Sequence, residues 1–174
     1  FGGGGYWTEL LARAVGPDGK VTLVNNAPYL EFAREDIKTR FADDRLPGVT
    51  RRTIETCDMK LGKAQFDLIL IVMSYHDLYF VDEAGGWPDA NAGGFLDQLH
   101  AALKPDGALL IIDHAAAAGS GSSAAQDSHR IEEAFAQRDI EGHGFKLEKT
   151  WDGYRNSADD LSKLVFDAAV RGKT

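Results

Sequence analysis

Cysteine is almost missing from this chain of 174 residues, in which Cys57 stands alone. A single cysteine excludes an intrachain disulfide framework and a zinc site built from several cysteines. Long apolar runs are missing too, since no stretch reaches the roughly 18 residues that a membrane-spanning helix needs. Basic residues are few, because 19 Lys and Arg stand against 27 Asp and Glu and leave a net charge of −8. We therefore expect neither nucleic acid nor an anionic membrane as a partner, because both would repel the chain.

The composition that remains, 44% hydrophobic and 26% charged, is typical of a globular protein. The length predicts a single domain over residues 1–174. The chain starts at Phe1 rather than Met and stops without a closing element, so we expect a domain truncated at both ends. No targeting segment is visible, and we expect a cytoplasmic location.

Helix and strand patterns alternate along the chain. The patterns predict buried strands over 20–25, 50–56, 66–73 and 108–112, an outer strand over 145–150, and helices over 6–15, 28–42, 95–103 and 126–139. A tight turn is predicted at Lys104–Gly107. This alternation predicts an α/β fold with a parallel sheet. Since ligands of such sheets bind beyond the carboxyl ends of the strands, polar residues at those ends are the candidates for a site.

A run of glycines, Gly2–Gly5, stands before the first predicted helix. Glycine lets a backbone approach a ligand closely, and a helix N-terminus presents free N–H groups. A dinucleotide fingerprint needs a third glycine where this chain has Trp7 or Thr8, so that fingerprint fails. Gly3, Gly5 and Thr8 instead fit a loop around a nucleoside-linked amino acid. The alternative is a flexible glycine-rich terminus.

Polar residues also follow the next two predicted strands. Asn25 and Asn26 are candidate partners of ribose hydroxyls, because an amide can donate or accept. The alternative for them is a side-chain turn that leads into Pro28. Asp58 can accept a hydrogen bond from the amine of an adenine while Met59 covers the ring, and the alternative is an ordinary surface carboxylate.

Two pairs of aspartate and histidine follow the strands predicted over 66–73 and 108–112. His76 titrates near neutral pH and is the candidate general base, with Asp77 to orient it or to bind substrate. Asp113 and His114 repeat this chemistry at the next strand end. The alternative for His76 is a buried structural histidine. Histidine and carboxylate suit zinc, iron or manganese, but the spacing is not a metal signature, and we expect no metal.

At this point the sequence resembles the class I S-adenosylmethionine-dependent methyltransferases. The resemblance lies in GGGGYWTELLARAVGPDGKV, CDMKL, FDLILIVMSYHDLYF and ALKPDGALLIIDH, while DHAAAAGSG and RNSADDLSKLVFDAAVRGKT resemble a bacterial branch of predicted methyltransferases. The resemblance implies a Rossmann-like sheet with helices on both faces and the strand order 3-2-1-4-5-7-6. The first and the seventh strand of that sheet would lie outside this chain.

The resemblance implies methyl transfer from S-adenosylmethionine to a small-molecule acceptor. The cofactor would contact Gly3, Gly5 and Thr8 with its methionine part, Asn25 and Asn26 with its ribose, Asp58 and Met59 with its adenine, and also Ser74. His76 would be the base, with Asp77 and His114 as substrate contacts or alternate bases. Two alternatives stay open, a nicotinamide-dependent oxidoreductase and a non-catalytic domain that binds a nucleoside or a partner. Exposed sheet edges would permit a homo-oligomer.

Overall fold

Two short parallel strands organise the first of two compact units, Phe1–Met59. The computed structural model describes residues 1–172 of the chain. The elements of the first unit are α1 (Tyr6–Val15), β1 (Val21–Asn25), α2 (Ala27–Phe32), α3 (Arg34–Arg40), a 3-10 turn (Ala42–Asp44) and β2 (Val49–Thr53). Strand β1 lies parallel to β2, with Val21 opposite Val49 and Asn25 opposite Thr53. Both strands therefore end at the same edge.

The core of the first unit follows from its apolar pattern. Leu23 of β1 is 3% exposed, and Tyr29 and Ile37 bury their side chains from α2 and α3. The single helix that we predicted over 28–42 is wrong, because Ala33 leaves helical geometry and separates α2 from α3. Ala33 is itself buried, so the break places both helices against the core.

The second unit starts at Lys60 and has a parallel pair of its own. Its elements are β3 (Phe66–Val72), a 3-10 turn (His76–Tyr79), α4 (Ala92–Ala102), β4 (Leu103–Ile112), α5 (Ala124–Ser128) and α6 (Glu133–Gly142). Val72 lies opposite Ile112, so β3 and β4 also end together. Helix α4 buries Phe95, Leu96 and Leu99 as an apolar stripe.

Three further predictions about local structure differ from the structure. Lys104–Gly107 is not a turn before the strand but an irregular part of β4. Leu103 pairs with Phe66 and Ala108 pairs with Leu68, so β4 uses five residues to cover a distance that β3 covers with two. The helix predicted over 126–139 is interrupted, because His129 has a φ of 53° and ends α5. No strand lies over 145–150 in the described part of the chain.

If the first strand of the implied order lies outside the chain, β1 and β2 correspond to the second and third strands of that order, and β3 and β4 to the fourth and fifth. Each of these two pairs is adjacent in the implied order, which agrees with the observed pairs β1–β2 and β3–β4. The expectation that the first and seventh strands lie outside the chain stays a prediction. Within residues 1–172, no helix combines the length and the apolar character that crossing a bilayer requires.

Candidate functional site

The glycine loop has a defined conformation at the start of α1. Gly3 and Gly5 have φ values of 51° and 79°, in the left-handed region that favours glycine. The N–H of Gly5 donates to the carbonyl of Gly2 at 3.1 Å and closes a turn. A Cβ at Gly2 would come within 2.2 Å of Leu23, and one at Gly4 within 2.6 Å of Asp36. Two of the glycines thus serve the backbone turn and two serve close packing.

Asn25 fixes this loop from the end of β1. Its Oδ1 accepts hydrogen bonds from the N–H groups of Gly2 at 3.1 Å and Gly3 at 2.9 Å. Its Nδ2 donates to the carbonyl of Gly3 at 2.9 Å. An aspartate has no donor for that carbonyl, which is a physical reason for an amide here. Asn25 is 3% exposed and has one further amide hydrogen, so its predicted contact with a ribose stays a prediction.

Arg40 and Glu9 brace the same loop from its other side. The Nε of Arg40 donates to the carbonyl of Gly4 at 2.8 Å, and its Nη1 donates to Glu9 at 2.6 Å. Hydrogen bonds from Arg13 and then Arg40 lower the pKa of Glu9. Thr8, one turn into α1, is buried. The loop is therefore held by backbone, amide and guanidinium contacts at once.

The remaining predicted residues of the first unit lie in three different environments, a turn, the surface and the core. Asn26 accepts a hydrogen bond from the N–H of Tyr29 at 3.0 Å, which is the side-chain turn that we kept as the alternative. Asp58 is exposed, whereas Met59 is 2% exposed and belongs to the core. The N–H of Ile54 donates to the carbonyl of Asn25, so the segments after β1 and β2 start side by side.

In the second unit, His76 lies between two carboxylates. Its Nδ1 is 2.7 Å from Oδ1 of Asp113, and its Nε2 is 3.2 Å from Oδ1 of Asp77. The backbone N–H of His76 also donates to Asp113, at 2.9 Å. Asp77 lies 3.3 Å from Nδ1 of His129 as well. The ends of β3 and β4 thus bring together the two pairs that the sequence shows as separate motifs.

Electrostatics assigns different charge states to the two predicted histidines. Burial lowers the pKa of His76, but the hydrogen bonds that its ring donates to Asp113 and Asp77 outweigh burial and raise the pKa to about 9. His76 is therefore protonated at neutral pH, both of its ring nitrogens face carboxylates, and in this state it cannot accept a proton. Burial lowers the pKa of His114, which is neutral at the same pH. Of the predicted bases, His114 is the histidine ready to accept a proton.

Ser74 and Tyr75 are fixed by burial. Ser74 is 2% exposed, and its predicted contact with a cofactor stays a prediction. The hydroxyl groups of Tyr75 and Tyr79 each donate to Oδ2 of Asp139 at 2.5 Å. Burial, followed by the hydrogen bond to Asp139, raises the pKa of Tyr75 well above its usual range. These two tyrosines tie the turn after β3 to α6.

Sequence reasoning missed the contacts of His129 and Arg130. His129 joins the cluster through Asp77, and its ring lies 4.7 Å from Phe80. Arg130 is completely buried and forms a two-pronged ion pair with Asp159, at 2.9 and 3.0 Å. The pair spans 29 positions of the chain, and no spacing rule joins residues so far apart.

The first unit also has an open cleft of about 490 Å³ against α2, α3 and β2, lined in part by Leu30, Ile37 and Arg51. No predicted site residue lines this cleft. Its position gives no support to the predicted cofactor contacts.

No protein-family model matches the sequence, and no curated protein matches it. Solved structures do match. A SAM-dependent methyltransferase from Aquifex aeolicus, 21% identical, aligns with a TM-score of 0.62 over 84% of this chain and 70% of its own. The chain has the fold of the S-adenosylmethionine-dependent methyltransferases.

Two further solved structures are similar in fold to this chain. LepI, solved with S-adenosylhomocysteine and a substrate analogue, is 17% identical with a TM-score of 0.56 over 85% of this chain. The cyclase SpnF is 12% identical with the same TM-score over 81% of this chain. This chain spans 36% of LepI and 47% of SpnF.

In the first unit, Gly3 contacts Asn25 at the carboxyl end of β1, and Asp58 and Met59 follow β2 along the chain. Ser74, His76, Asp77 and His114 follow β3 and β4 in the second unit. The prediction that all of these residues share a single rim concerns both units and stays a prediction.

Proposed function

We propose that this chain binds S-adenosylmethionine and transfers its methyl group to a small-molecule acceptor. The observation that carries the proposal is the glycine loop of the first unit. Three hydrogen bonds between Asn25 and the loop, two accepted by Asn25 and one donated, fix the loop at the carboxyl end of β1, where ligands of parallel sheets bind. The methyltransferase fold of the chain supports the same cofactor.

The loop would receive the methionine part of the cofactor. Gly3 supports this role because a Cβ built there meets nothing within 4 Å, so the backbone faces open space. Gly5 and Thr8 would line the same part of the cofactor. The ribose would take the second amide hydrogen of Asn25 or a contact with Asn26. The adenine amine would donate to Asp58, with Met59 beneath the ring and Ser74 as a further contact.

Methyl transfer does not require the protein to form a covalent bond with either reactant. Bound S-adenosylmethionine would supply a methyl group on a positively charged sulfur, so that the carbon–sulfur bond would break and leave its electron pair on sulfur as the acceptor's lone pair bonds to the methyl carbon. The protein must align the two reactants and exclude water. We assign the acceptor's proton to His114, because its lowered pKa keeps it neutral. Asp77 would contact the acceptor, and protonated His76 would orient Asp77.

The fold does not by itself decide the reaction, since one structural neighbour is named as a cyclase. A nicotinamide cofactor finds less support, because the loop has Trp7 or Thr8 where the dinucleotide fingerprint needs glycine. A transferase is the proposal because His114 offers a proton acceptor next to the cluster of Asp113 and His76. Formation of S-adenosylhomocysteine from S-adenosylmethionine is the reaction that distinguishes it.

A pair of glycine variants tests cofactor binding. Gly3→Ala adds a methyl group to the loop, whereas Gly16→Ala adds one at the C-terminal end of α1. Both glycines have positive φ values, 51° and 73°, and neither has a neighbour within 4 Å of the added Cβ. Gly16 combines its positive φ with a ψ of −171°, a region that is essentially restricted to glycine, so Gly16→Ala should lose at least as much stability as Gly3→Ala. Gly16→Ala is therefore the control for backbone strain away from the loop.

Calorimetric titration with S-adenosylmethionine and S-adenosylhomocysteine measures the effect. We expect wild type and Gly16→Ala to bind both ligands, and Gly3→Ala to bind at least about tenfold more weakly, because close backbone approach is lost. A folded wild-type protein that binds neither ligand would refute the proposal. Equal affinities in the two glycine variants would remove the loop from the site.

A further inference from the structure

Three donor atoms of the second unit converge on one point from two segments of the chain. They are Nε2 of His76, Oδ1 of Asp77 and Nδ1 of His129, and all lie within 4.8 Å of one another. His76 and Asp77 follow β3, whereas His129 ends α5. The spacing along the sequence does not reveal this group, because 52 positions separate Asp77 from His129.

Two of the three separations, those that involve Asp77, fit a metal ion. Zinc lies about 2.0–2.1 Å from nitrogen and oxygen ligands, so two ligands of a tetrahedral ion are about 3.3 Å apart. Oδ1 of Asp77 lies 3.2 Å from Nε2 of His76 and 3.3 Å from Nδ1 of His129. Both distances from Asp77 to a histidine nitrogen therefore already match the separation of two ligands that share one ion.

The surroundings of the three ligands support the same conclusion. Asp113 contacts Nδ1 of His76 at 2.7 Å, which fixes the ring so that Nε2 faces the other two donors. Histidines that bind metals commonly have their second nitrogen held by a carboxylate in this way. The rings of Phe80 and Phe166 lie 4.7 and 5.1 Å from His129 and give the cluster an apolar wall. Such a wall limits the access of water to an ion.

The third ligand, His129, has an unusual backbone conformation. Its φ of 53° lies in the left-handed region, where residues other than glycine are uncommon. Strain of this kind concentrates at functional sites. It also turns the chain at the end of α5, where the ring of His129 faces Asp77.

We infer that His76, Asp77 and His129 form a binding site for a divalent transition metal ion. Two histidines and one carboxylate suit zinc, iron or manganese. Three protein ligands leave at least one coordination position open, so the ion is of the kind that can bind an oxygen or nitrogen atom of a small molecule. The sequence-based expectation of no metal rested on spacing and did not include His129. The site shares His76 and Asp77 with the proposed function, and an ion bound there would replace the proton on Nε2 of His76. The test of the site does not involve methyl transfer.

Cobalt titration of untagged protein, without any cofactor, tests the site. Co²⁺ is a visible probe, because its absorption spectrum changes when nitrogen ligands replace water. The experiment uses a Cys57→Ser background, since the exposed thiol of Cys57 could bind the probe. His129→Asn is the test variant, because asparagine tolerates the left-handed backbone. His143→Asn is the matched control, because His143 also pairs with an aspartate, at 2.8 Å from Asp97.

We expect one Co²⁺ ion per chain, displaced by Zn²⁺, in the parent and in His143→Asn. His129→Asn should bind at least about tenfold more weakly, and so should Asp113→Asn, which loses the orientation of His76. Circular dichroism checks that each variant is folded. Absence of Co²⁺ binding by the folded parent would overturn the inference, and so would equal affinity in His129→Asn and His143→Asn. Binding of S-adenosylmethionine is measured separately, so either result leaves the proposed function to its own test.

Discussion

Arg130→Met should destabilise the second unit severely. Arg130 is completely buried and donates through Nη1 and Nη2 to Asp159, through Nη1 to the carbonyl of Ala115 at 2.8 Å, and through Nε to the carbonyl of Lys163 at 2.7 Å. Methionine fills part of the volume but donates nothing. The side chain of Asp159 is 7% exposed, so its charge would stay buried without a partner.

The cost follows from the burial of this pair. Removing one partner of a buried ion pair costs about 3–5 kcal/mol, which is a large share of the stability of a typical domain. With a dependence of about 2 kcal/mol per molar urea, the midpoint of urea unfolding should fall by about 2 M. The variant also detaches the segment that brings Phe166 to His129. Limited proteolysis should then cut near residues 160–170.

Two comparisons make the result interpretable. Arg155→Met removes exposed ion pairs with Glu133 and Asp152 and should change the midpoint little, because such pairs contribute little in water. The double variant Arg130→Met/Asp159→Leu removes both buried charges and should recover part of the loss. A midpoint for Arg130→Met within error of that for Arg155→Met would refute the reasoning. A double variant that is less stable than Arg130→Met would also contradict it.

Two further predictions concern Asp139, which accepts hydrogen bonds from two tyrosines, and His76, which lies between two carboxylates. Asp139→Ala should cost about 1–3 kcal/mol in thermal unfolding, because the buried hydroxyl of Tyr75 loses its acceptor, and Asp139→Asn should cost less because it keeps one. Equal losses in the two variants would contradict this. In the presence of a chelator, NMR should find the pKa of His76 near 9, and Asp113→Asn should lower it, since the carboxylate stabilises the charged ring. A pKa below 7 in the wild type would exclude the arrangement of carboxylates around His76.

The sequence predicts two of the strands closely because their signal is local. Runs of branched apolar residues mark β1 and β3, and the structure confirms both within a residue of the predicted bounds. The breaks in the helices were missed for a different reason. Ala33 interrupts a helical pattern without glycine or proline, and His129 does the same through a left-handed backbone. Both breaks depend on what the helices pack against, which local patterns do not contain.

The candidate site shows the same division. The rule that parallel strands end at one edge predicts that His76 and Asp113 come close, and they lie 2.7 Å apart. That rule says nothing of His129, whose position depends on the path of the chain after β4. The sequence also suggests a ribose contact for Asn25, whereas its three hydrogen bonds to the glycine loop depend on how the loop folds back.

The most direct test of the central claim is an amide NMR titration with S-adenosylhomocysteine. The account predicts that the largest shifts fall on Gly3, Gly5 and Asp58, at the carboxyl ends of β1 and β2. The amide signal of Gly16, at the far end of α1, should not shift. Shifts confined to the cleft of Leu30 and Ile37, with the glycine amides unmoved, would contradict the account.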